Sequence, residues 1–326
     1  MPGRPGWRWK GVAAVAKQTT QRDAFWTRVY ELAKNDRNII VVSEDMGAPA
    51  LDKFRMDLPA QFVNVGIAEQ NGHLVGSGLA QEGKRSFLYA IAPFVTLRCL
   101  EQIRVASGIM NIPVTIVGVG GGFGYDDSGP THHLIEDIAI MRSMPNITIH
   151  SVSDSVMAAA VAEMSVSMKH TNYVRLDRNP GPDFYRPGTD FSAGFNVLRA
   201  GRDGLILATG YMVQTAVKVA DDLSKIGKKV GIIDVHAIPT GEQALLREIA
   251  RAKVIFTMEE HFLPGGFGSY ILELMNDHNV RVPAKRFGLG HDRGYCYKYG
   301  GRDEIHEYYG VDAALVKKAI LPLLKK

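Results

Sequence analysis

The run Phe62-Val-Asn-Val-Gly-Ile-Ala-Glu-Gln-Asn71 sets one carboxylate, Glu69, after an apolar strand and at the start of a small-residue helix, Gly72 to Ala80. Burying an unpaired carboxylate is costly, so a glutamate in such company needs a partner and can do acid–base chemistry. The plainer reading is a helix-start glutamate interacting with the helix dipole. A second run, Gly118-Val-Gly-Gly-Gly-Phe-Gly-Tyr-Asp-Asp-Ser-Gly-Pro-Thr-His-His133, leaves the end of an apolar strand. Open α/β sheets bind ligands at such ends. Its glycines permit close backbone approach, and it delivers His132 and His133 ahead of a helix. The alternative is a flexible surface loop with Thr131 as helix cap. Phe94 stands at another strand-to-helix junction, where a plain core aromatic is the expectation. Glu259-Glu-His261 follows a strand and reads as a charged loop stapled to a glycine-opened helix. Carboxylates and histidine adjacent in sequence do not face one another, which argues against a metal site there.

The elements that must position these residues alternate in type. Helix over 22–35, strand over 38–43, strand over 61–65 and helix over 68–81 lead into a strand over 85–91 and a helix over 92–107. Strand 113–119, helix 134–142, strand 147–152, helix 154–170 and strand 173–176 complete the first set. This βα alternation predicts a mostly parallel sheet flanked by helices. The breaker-rich stretch Asn179-Pro-Gly-Pro-Asp-Phe-Tyr-Arg-Pro-Gly188 reads as a linker. Alternation then restarts with strands over 204–209, 229–235, 254–258 and 280–288. The helices between and after them fall at 213–226, 241–250, 265–276 and 311–324. The fold class is therefore α/β with two domains. The expected division is an extension over 1–17, a first domain over 18–180, a linker over 181–195 and a smaller domain over 196–326.

Length and composition agree with two ordinary globular domains: 326 residues, 46% hydrophobic and 22% charged. The formal net charge of +4 is spread along the chain, with basic residues in both tails. No basic run interleaved with aromatics suggests nucleic acid. Cys99 and Cys296, far apart and without metal spacing, favour a reducing compartment. Residues 1–17 have too short an apolar run for a signal peptide, and no run approaches a membrane span. A disordered or loosely docked extension and a cytoplasmic protein are the expectations. There is no phosphate-cradling loop, no dinucleotide fingerprint and no serine-nucleophile elbow. A Gly-Asp-Gly with a downstream Asn, the metal–diphosphate signature of thiamine enzymes, is also missing, so any such site on this chain is incomplete.

The pattern resembles the C-terminal two domains of transketolase, from roughly Gln18 to the C-terminus. The resemblance rests on Asn64-Val-Gly-Ile-Ala-Glu-Gln-Asn71, Arg98-x-x-Glu-Gln-Ile-Arg104, Gly129-Pro-Thr-His132 with Glu136-Asp-Ile-Ala139, Met144-Pro-Asn146, and Glu259-Glu-His with Gly265-Gly-x-Gly268. It implies the second subunit of a split transketolase, transferring a two-carbon glycolaldehyde unit from a ketose to an aldose. It implies thiamine diphosphate shared with a partner chain that holds the diphosphate and magnesium, and an α2β2 heterotetramer. By resemblance Glu69 hydrogen-bonds the N1′ nitrogen of the cofactor's aminopyrimidine. Phe94, with Ile91 and Gln70, belongs to the pyrimidine site. His132 contacts substrate hydroxyls, and Arg22, Ser128 and Arg178 belong to the sugar-phosphate end.

Departures from the family pattern cluster at the substrate end. Gly120 stands where members usually carry a phosphate-binding histidine, Ser128 where an aspartate is common, and Ile91 where an aromatic is common. A phosphate-holding serine has no clear match near Ala48 and Pro49. These departures imply a substrate other than an ordinary pentose phosphate, such as a modified or nucleotide-linked sugar. Alternatives are a deoxyxylulose-phosphate-synthase-like or 2-oxoacid-decarboxylating subunit, or a non-catalytic subunit retaining the fold.

Overall fold

The structure, a computed structural model, describes residues 19–325; the expected extension over 1–17 lies outside them. The first sheet is built from β1 (Ile39–Ser43), β2 (Phe62–Asn64), β3 (Arg85–Ile91), β4 (Thr115–Val119), β5 (Ile147–Ser151) and β6 (Thr171–Leu176). The second uses β7 (Phe195–Arg199), β8 (Gly204–Ala208), β9 (Val230–Val235), β11 (Ile255–Phe262) and β12 (Ala284–Leu289). A two-residue strand, β10 (Ala237–Ile238), leaves the second unit and pairs antiparallel with β5. The orders are β10-β5-β6-β4-β3-β1-β2 and β12-β11-β8-β9-β7. β10 and β7 are the antiparallel members. This is the expected α/β class, with two mostly parallel sheets flanked by helices.

The strands are the continuous apolar runs because both faces are covered. β1, β4 and β6 are buried along their whole length. On one face Phe25, Trp26, Phe87 and Tyr89 pack edge to face. The helix carrying the first two, Gln21–Ala33, begins at Thr20, whose hydroxyl accepts the Asp23 N–H at 3.0 Å. Ser155–Ser167 begins likewise at Asp154, which accepts from Met157 N at 2.7 Å. Such caps satisfy donors that a helix start leaves open.

Strand order reverses between β1 and β3, since the chain leaves β1 for β2 on one side and continues from β3 toward β4 on the other. The crevice beyond the carboxyl ends at such a reversal is where open α/β sheets bind ligands. Residues 44, 69, 91–94, 120–132 and 177–178 all emerge at this edge.

Several expectations require correction. The helix expected over 92–107 is broken into Ala92–Val95, two short turns and a π-helical segment, Ile103–Ile109. The break follows Thr96, whose hydroxyl bonds the Ala92 carbonyl at 2.6 Å. The helix after the glycine loop is only Asp137–Met141, so Thr131 caps nothing; its hydroxyl bonds the His132 ring instead. Glu259, Glu260 and His261 are no loop but the buried interior of β11. Helices Pro49–Asp57 and Arg302–Tyr309 and strand β7 were not foreseen.

Candidate active site

Glu69 is the first residue of helix Glu69–Gln81 and its side chain is almost wholly buried. One carboxylate oxygen accepts Arg98 Nη1 at 2.7 Å. The Arg98 guanidinium in turn lies 4.2 Å from the Phe94 ring centroid, a favourable cation–π geometry. Gln70 holds this arrangement from the side, donating to the Arg98 carbonyl at 3.1 Å. Phe94 is half-buried rather than a core aromatic, as is Ile91 at the end of β3. Phe94 meets His132 edge to face, with centroids 5.2 Å apart.

Sequence reasoning passed over Glu44, the residue after β1. It is 3% exposed, and neither carboxylate oxygen has a hydrogen-bond partner. Burial pushes its carboxyl up to about 8, the nearby Glu69 charge adds to this, and Arg98 partly opposes it. Gly72 makes room for it: a Cβ there would lie 2.6 Å from the Glu44 carboxylate. The available signal was an acidic residue directly after a largely apolar strand, the same kind of signal that singled out Glu69.

The two histidines of the glycine loop part company. His132 is half-buried among Phe94, Tyr125 and Thr131. His133 is buried on the other side, edge to face with Phe123, and burial lowers its pKa. At the outer end Arg178 lies over Tyr125, 4.6 Å from the centroid, and pairs with Asp127 at 2.9 Å. Ser128 donates to the same Asp127 oxygen at 2.9 Å. Arg22 pairs with Asp23 at 2.8 Å. The candidate site residues thus lie at one sheet edge, in the order Glu69, Arg98, Phe94, His132, Tyr125, Arg178.

Behind this edge the two units join through buried ions. Arg302 grips Glu260 with two bonds of 2.7 and 2.6 Å and Asp177 with one of 2.6 Å. Its guanidinium stacks on Tyr211. Glu260 also receives His306 and the Phe123 N–H. Burial opposes its charge, yet Arg302 and His306 hold its carboxyl well below the usual carboxylate range. Asp126 accepts the Arg302 N–H at 2.8 Å, tying the glycine loop to the second unit.

Two mostly parallel α/β units thus place a buried glutamate at the strand-reversal crevice, the ligand-binding position of open α/β folds. Residues 17–182 match the transketolase pyrimidine-binding domain and residues 194–316 the transketolase C-terminal domain. The chain belongs to the transketolase family, and it corresponds to the C-terminal subunit of the split form. It is 33% identical over 94% of its length to an apulose-4-phosphate transketolase subunit of Phocaeicola vulgatus, covering 97% of that protein. It is 30% identical over 91% to the 6-deoxy-6-sulfo-D-fructose transketolase subunit of a Clostridium species, covering 92% of it. A solved structure described as a split-gene transketolase, inactive beta4 tetramer, aligns with TM-score 0.82 at 27% identity over 94% of this chain and 98% of that one. Against a Pichia stipitis transketolase the fold matches with TM-score 0.80 at 20% identity, this chain spanning 46% of that one.

The family implies thiamine diphosphate and a divalent metal. The residues present fit the pyrimidine half of that cofactor: a buried carboxylate with one oxygen uncommitted to Arg98, beside a half-open aromatic face. Among the described residues no group of histidine, cysteine and carboxylate side chains could hold a metal. No helix among them is long and apolar enough to cross a membrane.

Proposed function

We propose that this chain is the pyrimidine-binding subunit of a thiamine-diphosphate-dependent transketolase, transferring a two-carbon glycolaldehyde unit from a ketose to an aldose. The observation that carries the reading is Glu69, buried at the sheet edge with Arg98 on one oxygen and Phe94 alongside. When bound, the cofactor supplies a nucleophilic thiazolium carbon for the two-carbon unit. Glu69 holds a proton at the pyrimidine N1′ position, and Arg98 fixes the carboxylate so that it meets the ring in one geometry. Phe94 and Ile91 provide the apolar contact for the ring. His132 stands where a sugar hydroxyl near the reacting carbon would be oriented, and Arg22, Ser128 and Arg178 serve the far end of the sugar.

A partner subunit brings the diphosphate and magnesium, and an α2β2 heterotetramer is the assembly proposed. Exposed apolar side chains beside the site support an interface: Ile67 and Leu74 flank Glu69, and Val105, Ile109 and Met110 extend the patch on the π-helical segment that packs against that helix. The relatives named for apulose 4-phosphate and 6-deoxy-6-sulfo-D-fructose support a donor other than an ordinary pentose phosphate.

The test is reconstitution with a chain carrying Gly-Asp-Gly and a downstream Asn, in thiamine diphosphate and magnesium. Two-carbon transfer from ketoses is expected, with aldehydes as acceptors. Decarboxylation of pyruvate without ketose transfer would overturn the reading. Tight thiamine diphosphate binding by this chain alone would overturn the need for a partner.

A further inference from the structure

The glycine loop carries a feature that the proposed function leaves unexplained. Gly120 has φ +87°, and a Cβ built on it would lie 2.2 Å and 2.3 Å from two ring carbons of Tyr125. A side chain at 120 and the ring at 125 therefore exclude one another. Glycine at 120, in a backbone conformation that other residues rarely adopt, lets Tyr125 fold back over the end of β4. The ring packs on the apolar cluster around Phe25, Trp26 and Tyr89. It stands between His132, at 6.0 Å between centroids, and the guanidinium of Arg178.

From Glu69 outward, Arg98, Phe94, His132 and Tyr125 form a continuous wall, and Arg178 lies beyond Tyr125. A sugar bound with its reacting carbon near His132 thus meets the Tyr125 ring before it meets a cation. Both cations at that end are already paired, Arg178 with Asp127 and Arg22 with Asp23. The Asp127 pair is largely solvent-exposed, and such pairs are held weakly. A terminal anion on the substrate can take Arg178 from Asp127.

We propose that Tyr125 determines which sugars enter, restricting the site to short sugars whose terminal phosphate or sulfonate displaces Asp127 from Arg178. This inference rests on the transketolase reading and names the substrate class of the same site.

The experiment uses the reconstituted pair with thiamine diphosphate and magnesium. Donors are five-, six- and seven-carbon ketose phosphates, a sulfonated ketose, and hydroxypyruvate, which has no distal end. In Tyr125→Ala the preference for long over short ketose phosphates rises by about tenfold or more in kcat/KM, the range a single pocket contact sets. Tyr125→Val, which keeps an apolar side chain on the core, shifts it in the same direction. Tyr125→Phe keeps the wild-type order, because the ring fills the space. The wild-type order also tells a phosphate end from a sulfonate end. Calorimetry of inorganic phosphate binding to the pair without donor gives a readout independent of turnover: Asp127→Asn binds several-fold tighter. A length profile unchanged in both small variants overturns the role of Tyr125, and unchanged phosphate affinity overturns the displacement of Asp127. Failure of the wild-type pair to use hydroxypyruvate or any ketose overturns the functional reading beneath both.

Discussion

The molecule holds two pairs of buried glutamates, and their surroundings are opposite. Glu259 and Glu260 lie side by side in β11 at the domain junction. Glu259 accepts the Phe267 and Gly268 N–H groups at 2.6 and 2.8 Å, and Glu260 is saturated by Arg302, His306 and Phe123. Glu44 and Glu69 lie at the sheet edge with one donor between them, the Arg98 guanidinium on Glu69. A carboxyl that has spent its oxygens on fixed donors is a structural joint. One left short of donors keeps capacity for a ligand. Burial is common to all four; the donor supply separates their roles.

The contrast can be broken most forcefully at Glu69. Glu69→Gln should lower two-carbon transfer by the reconstituted pair about 10²- to 10⁴-fold, the usual range for a lost acid–base group. Steady-state assay at saturating cofactor is the check, and turnover within a few-fold of wild type would strip the donor-poor pair of its chemistry. Next in size is the junction. Arg302→Met removes the buried cation from Asp177 and leaves Glu260 with only His306 and the Phe123 N–H, a loss of about 3–5 kcal/mol. Urea unfolding would read it, and a change no larger than that of a surface substitution would mean that the junction is not a joint.

A third test sharpens the comparison through pH. The folded carboxyl of Glu44 is pushed up to about 8 from its ordinary 4.5, mainly by burial and then by Glu69. The group therefore favours folding fully below pH 4.5, and that contribution is lost as pH rises toward 8. Glu44→Gln should flatten the fall in stability across this window. Glu259, also pushed up to about 8 by burial against its two backbone donors, leaves a residual slope of the same sign. Denaturation curves at several pH values decide it; identical slopes would show Glu44 to be paired or solvated. The smallest effect belongs to exposed pairs outside both regions. Arg251→Ala breaks the i,i+3 bridge to Glu248 and should cost no more than about 0.5 kcal/mol by thermal melting.

Much of the architecture was legible because apolar strands and amphipathic helices alternate with clear breakers. Glu69 was legible for a local reason, an acid at a strand-to-helix junction. Glu44 obeys the same rule, but its neighbours Ser43 and Asp45 make the stretch read as a polar loop. The triplet Glu259-Glu-His261 was misread because three polar residues in a row argue against a strand. Of their partners, the Phe267 and Gly268 amides belong to the glycine-opened helix expected nearby, whereas Arg302 and His306 come from a helix far along the chain that was not foreseen. Helix Pro49–Asp57 carried a usable sign, proline at its first position. Helix Arg302–Tyr309 did too, with Gly310 in the left-handed conformation at its end. The closeness of Tyr125 to Gly120 could not be read locally, since a loop's fold-back depends on the core it lands on.

The two-residue strand β10 has a consequence for solubility. It caps one margin of the first sheet, bonding Ala237 and Ile238 to His150 and Ile149 of β5. An uncapped margin offers unpaired N–H and C=O groups on which another chain can add a strand. The second unit therefore shields the first from self-association, and residues 19–193 expressed alone would form aggregates that restoring the 237–238 segment suppresses.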